Sequence, residues 1–457
     1  MSRSAAIVRL RLSRVWLAAR RDSARGQAMV FLLPMLAALA AALLFVFDAG
    51  QAASEKRRLV DAADAAALSA ATWQARALNF EAYMNRAVIA NEAVIAQSVS
   101  LRSWSDYMDQ MLPEAALVTR WVPLLNVATL VLQRIWAGFN AALQPGLGAM
   151  ETMLSLVDHD LGAAQRYVHA VALAVVPETV RATLAANDPR YRLSEGGELL
   201  LARWVGEWTR FTSLYGGAFR WRQADLLRRS SDGFTTERSA TVNPPLVGEA
   251  LRFEKRGGSD LLDFETWRAM DTLAMHTRSG LLVGRMRERL PIGWGGAENG
   301  RFSTLRGVHG GSPRVNPRAS RLASAATSAR RGYLGLPSLR DVSAAQREEL
   351  APPRIVVRAI VPGELIVDSR RALDRASAVD LGGRRFATTR ESPAPAYAVA
   401  AAEVRFARLV PRADGARELG SLYNPYWRAR LAAPTTAERL LAATADGSVD
   451  LALVVLP

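Results

Sequence analysis

From Gly26 to Phe47 the chain reads GQAMVFLLPMLAALAAALLFVF, an apolar run with no charged residue. A bilayer crossing needs roughly 20 such residues, so the pattern predicts one transmembrane helix over 26–47. Before it, Arg3, Arg9, Arg11, Arg14, Arg20, Arg21 and Arg25 stand against Asp22 alone. That bias predicts a basic cytoplasmic tail over 1–25, with everything after Asp48 on the far side of the membrane. Pro34 lies near the start of the run, where a proline need not interrupt the crossing. A cleaved export signal would carry a shorter apolar core, of about 7–15 residues, and a small-residue cleavage box. The run here is longer and leads into DAGQAASEKRR. An uncleaved anchor is the expectation.

Between Gly50 and Pro113 there is neither glycine nor proline, and alanine, leucine, glutamate and arginine abound. This composition predicts an extended helix, roughly 90 Å long at 1.5 Å per residue. Stepping by sevens from Trp73 gives Phe80, Ala87, Val94, Leu101 and Met108, all apolar. The companion positions Ala77, Met84, Asn91, Ser98, Ser105 and Leu112 complete the 4-3 spacing of a heptad seam. The seam predicts packing against helices of the same chain or of another subunit, so a homo-oligomer through 51–112 stays open. Near the start of this helix, Arg57, Asp61, Asp64 and Leu68 share one narrow stripe, where Asp61 can pair with Arg57 four residues earlier. Two carboxylates on an exposed helix lack the desolvation that acid–base catalysis needs. Alanines at 62, 63, 65, 66, 67, 70 and 71 make the helix thin enough for another backbone to approach closely. A solvated face of ion pairs and a partner-packing face are the two readings.

Residues 114–185 alternate apolar helical runs with breaks at Pro113, Pro123, Pro145-Gly146 and Pro177, which predicts several packed helices. Val122–Leu132 is strongly apolar yet too short to cross a bilayer, and is read as core or interfacial. From about 187 onward glycine, proline and arginine increase, and 354–358, 364–368, 398–406 and 449–456 suit strands. The stretch 292–350 is rich in Gly, Arg, Ser and Pro and reads as a flexible loop. The fold class expected is α+β: a helical part over 48–186, followed by a mixed outer domain over 187–457.

Charge adds less than its size suggests. The formal charge is +15, carried by arginine except for Lys56 and Lys255, and it is spread along the chain. No basic helix interleaved with stacking aromatics appears, so nucleic-acid binding is not expected. The absence of cysteine excludes disulfides and thiol chemistry. His159 and His169 are ten residues apart, which does not bring two imidazoles onto adjacent turns as a zinc helix does. Gly293-Trp-Gly-Gly-Ala-Glu298 departs from a dinucleotide loop at its sixth position and reads as a turn holding Trp294. Asn424-Pro-Tyr-Trp427 reads as aromatic packing in its own domain or a partner anchor. No catalytic, cofactor or metal site is expected. An anchored hydrolase with an unrecognised site is the alternative.

One stretch resembles a known family. Arg25-Gly26, the apolar span, Asp48-Ala49-Gly50, Arg58-Leu59 and the block Ala62-Ala63-Asp64-Ala65-Ala66-Ala67-Leu68 follow one another at close spacing. Together they resemble the amino-terminal module of TadG-like (TadE/TadG-like) proteins of the Flp, or tight-adherence, pilus-assembly system, over about 25–71. Val60-Asp61 departs from the family's usual glutamine and polar residue. The resemblance implies a single-pass protein of the bacterial inner membrane with its bulk in the periplasm, working beside other pilus-assembly proteins and without enzymatic activity. With the seam residues Trp73 and Phe80, the residues Asp48, Gly50, Asp61, Asp64 and Leu68 of this module are the expected partner-packing residues. Some relatives carry a D-x-S-x-S metal loop. Asp341-Val-Ser343-Ala-Ala345 lacks the second serine, so no such site is expected.

Overall fold

The computed structural model describes residues 4–216, 220–245, 250–278, 284–301, 314–343, 351–369, 394–416 and 418–447, with side chains from Met29 onward except that of Val118. Two helices dominate. Helix α1 runs unbroken over Ser4–Thr119 and α2 over Pro123–Asn187. A tight reversal joins them, closed by the Val122 amide donating to the Thr119 carbonyl at 2.9 Å. Pro123 sits at the first turn of α2, where its missing N–H costs nothing. Of the breaks expected between 113 and 185, the one at Pro123 is present as the start of α2, whereas those at Pro113, Pro145-Gly146 and Pro177 are not. Pro113 lies inside α1, and Pro145 and Pro177 lie inside α2. A proline removes one backbone bond and clashes with one carbonyl, and the long turns on either side, packed against the partner helix, carry the helix past it.

The strands form three sheets. In the first, β1 (Arg192–Leu193), β9 (Ile355–Val361), β10 (Ala396–Phe406) and β11 (Trp427–Ala432) lie antiparallel in the order β1-β9-β10-β11. In the second, β3 (Ala240–Val242), β4 (Leu251–Leu262), β5 (Thr266–Arg278), β6 (Met286–Gly300) and β7 (Ser328–Arg330) follow chain order, with β7 parallel to β6. The β4–β5 hairpin turns through Asp263 and Phe264, both left-handed at φ 51° and 62°. The third pairs β2 (Thr212–Leu214) with β8 (Arg340–Val342). Helices α3 (Glu195–Phe211), α4 (Trp221–Ser230), α5 (Gly233–Thr236), α6 (Pro317–Ala325) and α7 (Thr436–Ala445) complete the described elements. The fold is α+β. The expected strands near 354–358 and 398–406 are present, whereas 364–368 is no strand: a short 3-10 turn, Gly363–Leu365, begins it. Part of the expected loop over 292–350 is ordered as the end of β6, α6, β7 and β8. The stretch 449–456 lies outside the described residues.

Helix α1 packs on α2 and on both larger sheets. In β9, Ile355, Val357, Ala359 and Val361 point into one core with the α1 alanines 62, 63, 66, 67, 70 and 71 and with Val176, Val180 and Leu184 of α2. Alternate positions of the same sheet, Val356 and Ala401, pack behind it on Leu200 of α3 and Ala442 of α7. This two-sided burial follows from the period-two side-chain geometry of strands. Alanine matters because a larger side chain at those positions would hold the sheet and α2 away from the helix axis. Farther along, Ile95, Ala96 and Val99 of α1 meet Trp267, Ala269 and Ala297 of the second sheet.

The glycines of β6 mark where α1 crosses that sheet. A Cβ on Gly295 would lie 2.2 Å from the Tyr107 amide nitrogen and 2.3 Å from the Ser103 carbonyl oxygen; one on Gly293 would lie 2.7 Å from the Tyr107 ring. Gly296, facing the other way, would meet Thr327 and Ala323 of the α6 side. The expected turn at Gly293–Glu298 is thus the middle of a strand. Its glycines admit a helix on one face and another segment on the other.

The expected seam on α1 is one residue out of phase. Phe80 and Val94 are exposed, and Trp73, Leu101 and Met108 are only half-buried. The wholly buried line is Gln74, Leu78, Glu81, Asn85, Val88, Glu92, Ile95, Val99 and Arg102, each with 0% exposure. It keeps the same 4-3 spacing. Five of its members are polar, so a search for apolar repeats passes over it.

Candidate assembly interface along the long helices

Glu81, Asn85 and Arg102 of the buried line, with Asn91 and Ser98 beside it, meet α2 and form a ladder between the antiparallel helices. Glu81 meets His169 Nδ1 at 3.0 Å, and Asn85 accepts from Gln165 at 2.6 Å. Asn91 donates to Asp158 at 2.8 Å. Ser98 and Arg102 both donate to Glu151, at 2.8 and 3.0 Å, and Arg102 reaches Gln144 at 3.1 Å. Arg102 and Glu151 are both wholly buried, so neither charge has water to fall back on. Distant segments close the ladder. Asn299 of β6 donates to Glu151, the Trp208 ring stacks on His169 at 4.7 Å, and Asn85 donates to the carbonyls of Arg340 and Leu422.

Glu92 lies at the centre. Trp267 Nε1 donates to it at 2.9 Å and the Tyr333 hydroxyl at 3.0 and 2.9 Å, in full burial. Desolvation pushes its carboxyl up to about 7, against the pull of those two donors. Asp158 is pushed up to about 8, again chiefly by burial, with Asn91 opposing and the Glu92 charge adding. Shifted carboxyls are a mark of active sites. These are sealed from solvent, however, and a substrate would have no path to them. The second sheet holds Asp271 in the opposite sense: burial would raise its carboxyl, but Lys255 at 2.6 Å and Arg238 at 2.9 Å keep it below its ordinary value.

His159 and His169 do not converge: the first contacts the Gly335 carbonyl and the second belongs to the ladder. Among the described residues no group of three or more His, Asp or Glu could hold a metal ion. Asp341 uses its carboxylate to accept from the amides of Val342 and Leu422, at 2.8 and 2.7 Å. Ala344 and Ala345 lie outside the described residues. In Asn424–Trp427 the tryptophan is buried against Phe211 and Phe406, and its backbone exchanges hydrogen bonds with Asn79 of α1. That cluster packs in its own fold.

The seven residues of the expected partner-packing set fall in different settings. Asp48 accepts from the amide and hydroxyl of Ser369, at 2.6 and 2.7 Å, so it ties α1 to a segment far along the chain. A Cβ on Gly50 would meet nothing within 4 Å. Intrachain packing therefore gives no reason for a glycine there. Asp61 is exposed, and no ion pair joins it to Arg57 among the described residues. Asp64 is half-buried, its carboxyl raised by burial and by the neighbouring Asp61 charge. Leu68 and Phe80 each keep 36% of their surface. Trp73 packs at the edge of the first core. The alanines between them, expected to admit a partner, are filled by the chain's own first sheet and α2. What remains open on this side is a mixed stripe through Asp61, Leu68, Arg76, Phe80, Tyr83 and Val94.

Above these residues α1 continues as an uncovered apolar segment. Met29, Phe31, Leu33, Met35 and Phe45 are all exposed by 70% or more, and the stretch is long and apolar enough to cross a membrane. No curated protein and no solved structure matches the chain. Residues 26–75 match the family described as "Putative Flp pilus-assembly TadE/G-like", which identifies the amino-terminal module of this chain as TadE/G-like.

Proposed function

We propose that the protein is a membrane-anchored, non-enzymatic component of a Flp/Tad-type pilus-assembly apparatus that works by helix packing and by binding partners outside the inner membrane. The observation that carries this reading is the continuity of α1. The apolar segment at 29–47, the family-matched residues 26–75 and the buried spine of the outer fold are one helix. Such a helix couples a span in the lipid to the outer body without a hinge of glycine or proline after Gly50 until Pro113. Lipid contacts are made through 26–47, with the arginines before it holding the amino terminus in the cytoplasm. In this reading the bulk of the chain is periplasmic. Gly50, Asp61, Asp64, Leu68 and Phe80 are the surface offered to other pilus-assembly proteins, because the fold itself leaves them uncovered or unexplained.

Deleting residues 1–47 tests the anchor. The truncated chain is expected to leave the membrane fraction and appear in the soluble one. Persistence with the membranes would mean that another segment attaches the protein.

A further inference from the structure

Helix α2 has a second face that the fold does not use. Stepping by sevens from Ala128 gives Ile135, Ala142, Ala149, Leu156 and Ala163, and each is exposed. The companion series from Leu132 gives Phe139, Gly146, Met153, Asp160 and Tyr167, and these are exposed as well. The two series interleave at steps of four and three over 128–167. Ile135 keeps 65% of its surface and Met153 67%. On the opposite side, Asn140, Glu151, Ser155, Asp158 and Gln165 are buried against α1. The usual polarity of a helix in water, apolar inward and polar outward, is reversed along this length. Val122–Leu132, at the start of this helix, has its apolar side chains exposed and so is not core.

We propose that this face is the interface between two copies of the chain, whose α2 helices run parallel as a two-stranded coiled coil over 128–167. A seam that repeats every 3.5 residues for about 60 Å fits another helix with the same repeat better than a globular pocket or a flat sheet. The parallel sense rests on the proposed anchor. Two copies held in one bilayer project their outer parts in the same direction, and a two-fold along that direction brings the same face of each together. Association through this seam would bury on the order of 1,200 Å², the lower end of what specific, stable interfaces need. On α1 over 51–112 the buried seam is filled by α2 and the sheets, so a second copy there would meet only the mixed stripe through Asp61, Leu68, Phe80 and Val94. Asp160 is the one acid in the repeat. In a parallel pair the two Asp160 carboxylates sit at the same level and repel, which fixes them as the weak layer of the seam.

The chain has no cysteine, so single cysteines report on this contact directly. Ile135→Cys and Leu156→Cys, in the full-length protein in native membranes, are expected to give a disulfide-linked species of twice the chain mass under mild oxidation. Ala137→Cys, exposed on the far side of the same helix, is expected to give at least tenfold less. Asp160→Leu is expected to raise the cross-linked fraction several-fold at Leu156→Cys. Circular dichroism establishes that each variant keeps the fold, which these exposed positions should not disturb. Absence of the homodimer at both seam positions overturns the proposal. So does cross-linking equal to that at Ala137→Cys, or adducts formed instead with a different protein. A pair of Ala128→Cys and Tyr167→Cys chains that cross-link to each other in preference shows an antiparallel contact and also rejects it. The membrane fraction of the same samples separates the two readings: retention without cross-links sinks the dimer and leaves the anchor standing.

Discussion

Glu92 and Asp158 show how single residues set the behaviour of the α1–α2 ladder. Both carboxyls are raised by burial, to about 7 and about 8. A carboxyl raised on folding stabilises the fold at low pH, where it is protonated in place, and that contribution is lost as pH climbs through the raised value. The window lies between the ordinary carboxylate range and about pH 8. Thermal melts are therefore expected to show a midpoint that falls by several degrees from pH 6 to pH 8.5. Glu92→Gln keeps an acceptor for Trp267 and Tyr333 while removing the charge, and should flatten that slope. An unchanged slope would mean that Glu92 does not titrate in this range. Asp271 acts in the opposite sense: its charge is held by Lys255 and Arg238, and its contribution is lost only as pH falls below the carboxylate range.

At the level of elements, the crossing of α1 over β6 is a close backbone-to-backbone join. The glycines at 293 and 295 let the helix backbone lie against the strand, and a methyl group at 295 has no flexible side chain to push aside. Gly295→Ala is expected to cost about 1–3 kcal/mol, as other overpacked cores do. Gly138→Ala, where a Cβ meets nothing within 4 Å, should leave stability within about 0.5 kcal/mol of the parent or better. Urea denaturation of the two variants compares them directly, and equal midpoints would show that the helix can shift without loss. The same crossing explains why Gly293-Trp-Gly-Gly misled a local reading. Glycine punctuates turns, but it also marks places where another backbone comes close, and only a second element distinguishes the two.

For the whole molecule, the important fact is that α1 supplies part of each major core. Leu59 to Leu78 belong to the first core, and Ile89 to Val99 to the second. The sheets of residues 187–457 thus bury their inner faces on a helix that precedes them in sequence. Residues 187–457 produced alone are expected to lack a cooperative unfolding transition and to expose apolar surface. Residues 48–457 should unfold in one transition by near-ultraviolet circular dichroism. A fragment that melted cooperatively by itself would show that its sheets have a core independent of α1.

Much of this was legible in the chain. The apolar run at 26–47, the long helix after it, the α+β composition, the module at about 25–71 and the strands near 355 and 398 all follow from local periodicity and order. Local signals decide these features because hydropathy, propensity and spacing act within a few turns. The phase of the buried seam does not follow from them. Trp73, Phe80 and Val94 make the more apolar stripe, yet Gln74, Glu81, Asn85, Glu92 and Arg102 are the buried ones. A polar side chain enters a core when hydrogen-bond partners await it there. Here those partners are His169, Gln165, Tyr333, Trp267 and Glu151, which come from α2 or from segments well beyond it. Which face of each long helix turned inward was settled by that tertiary supply of partners, and with it which face was left exposed.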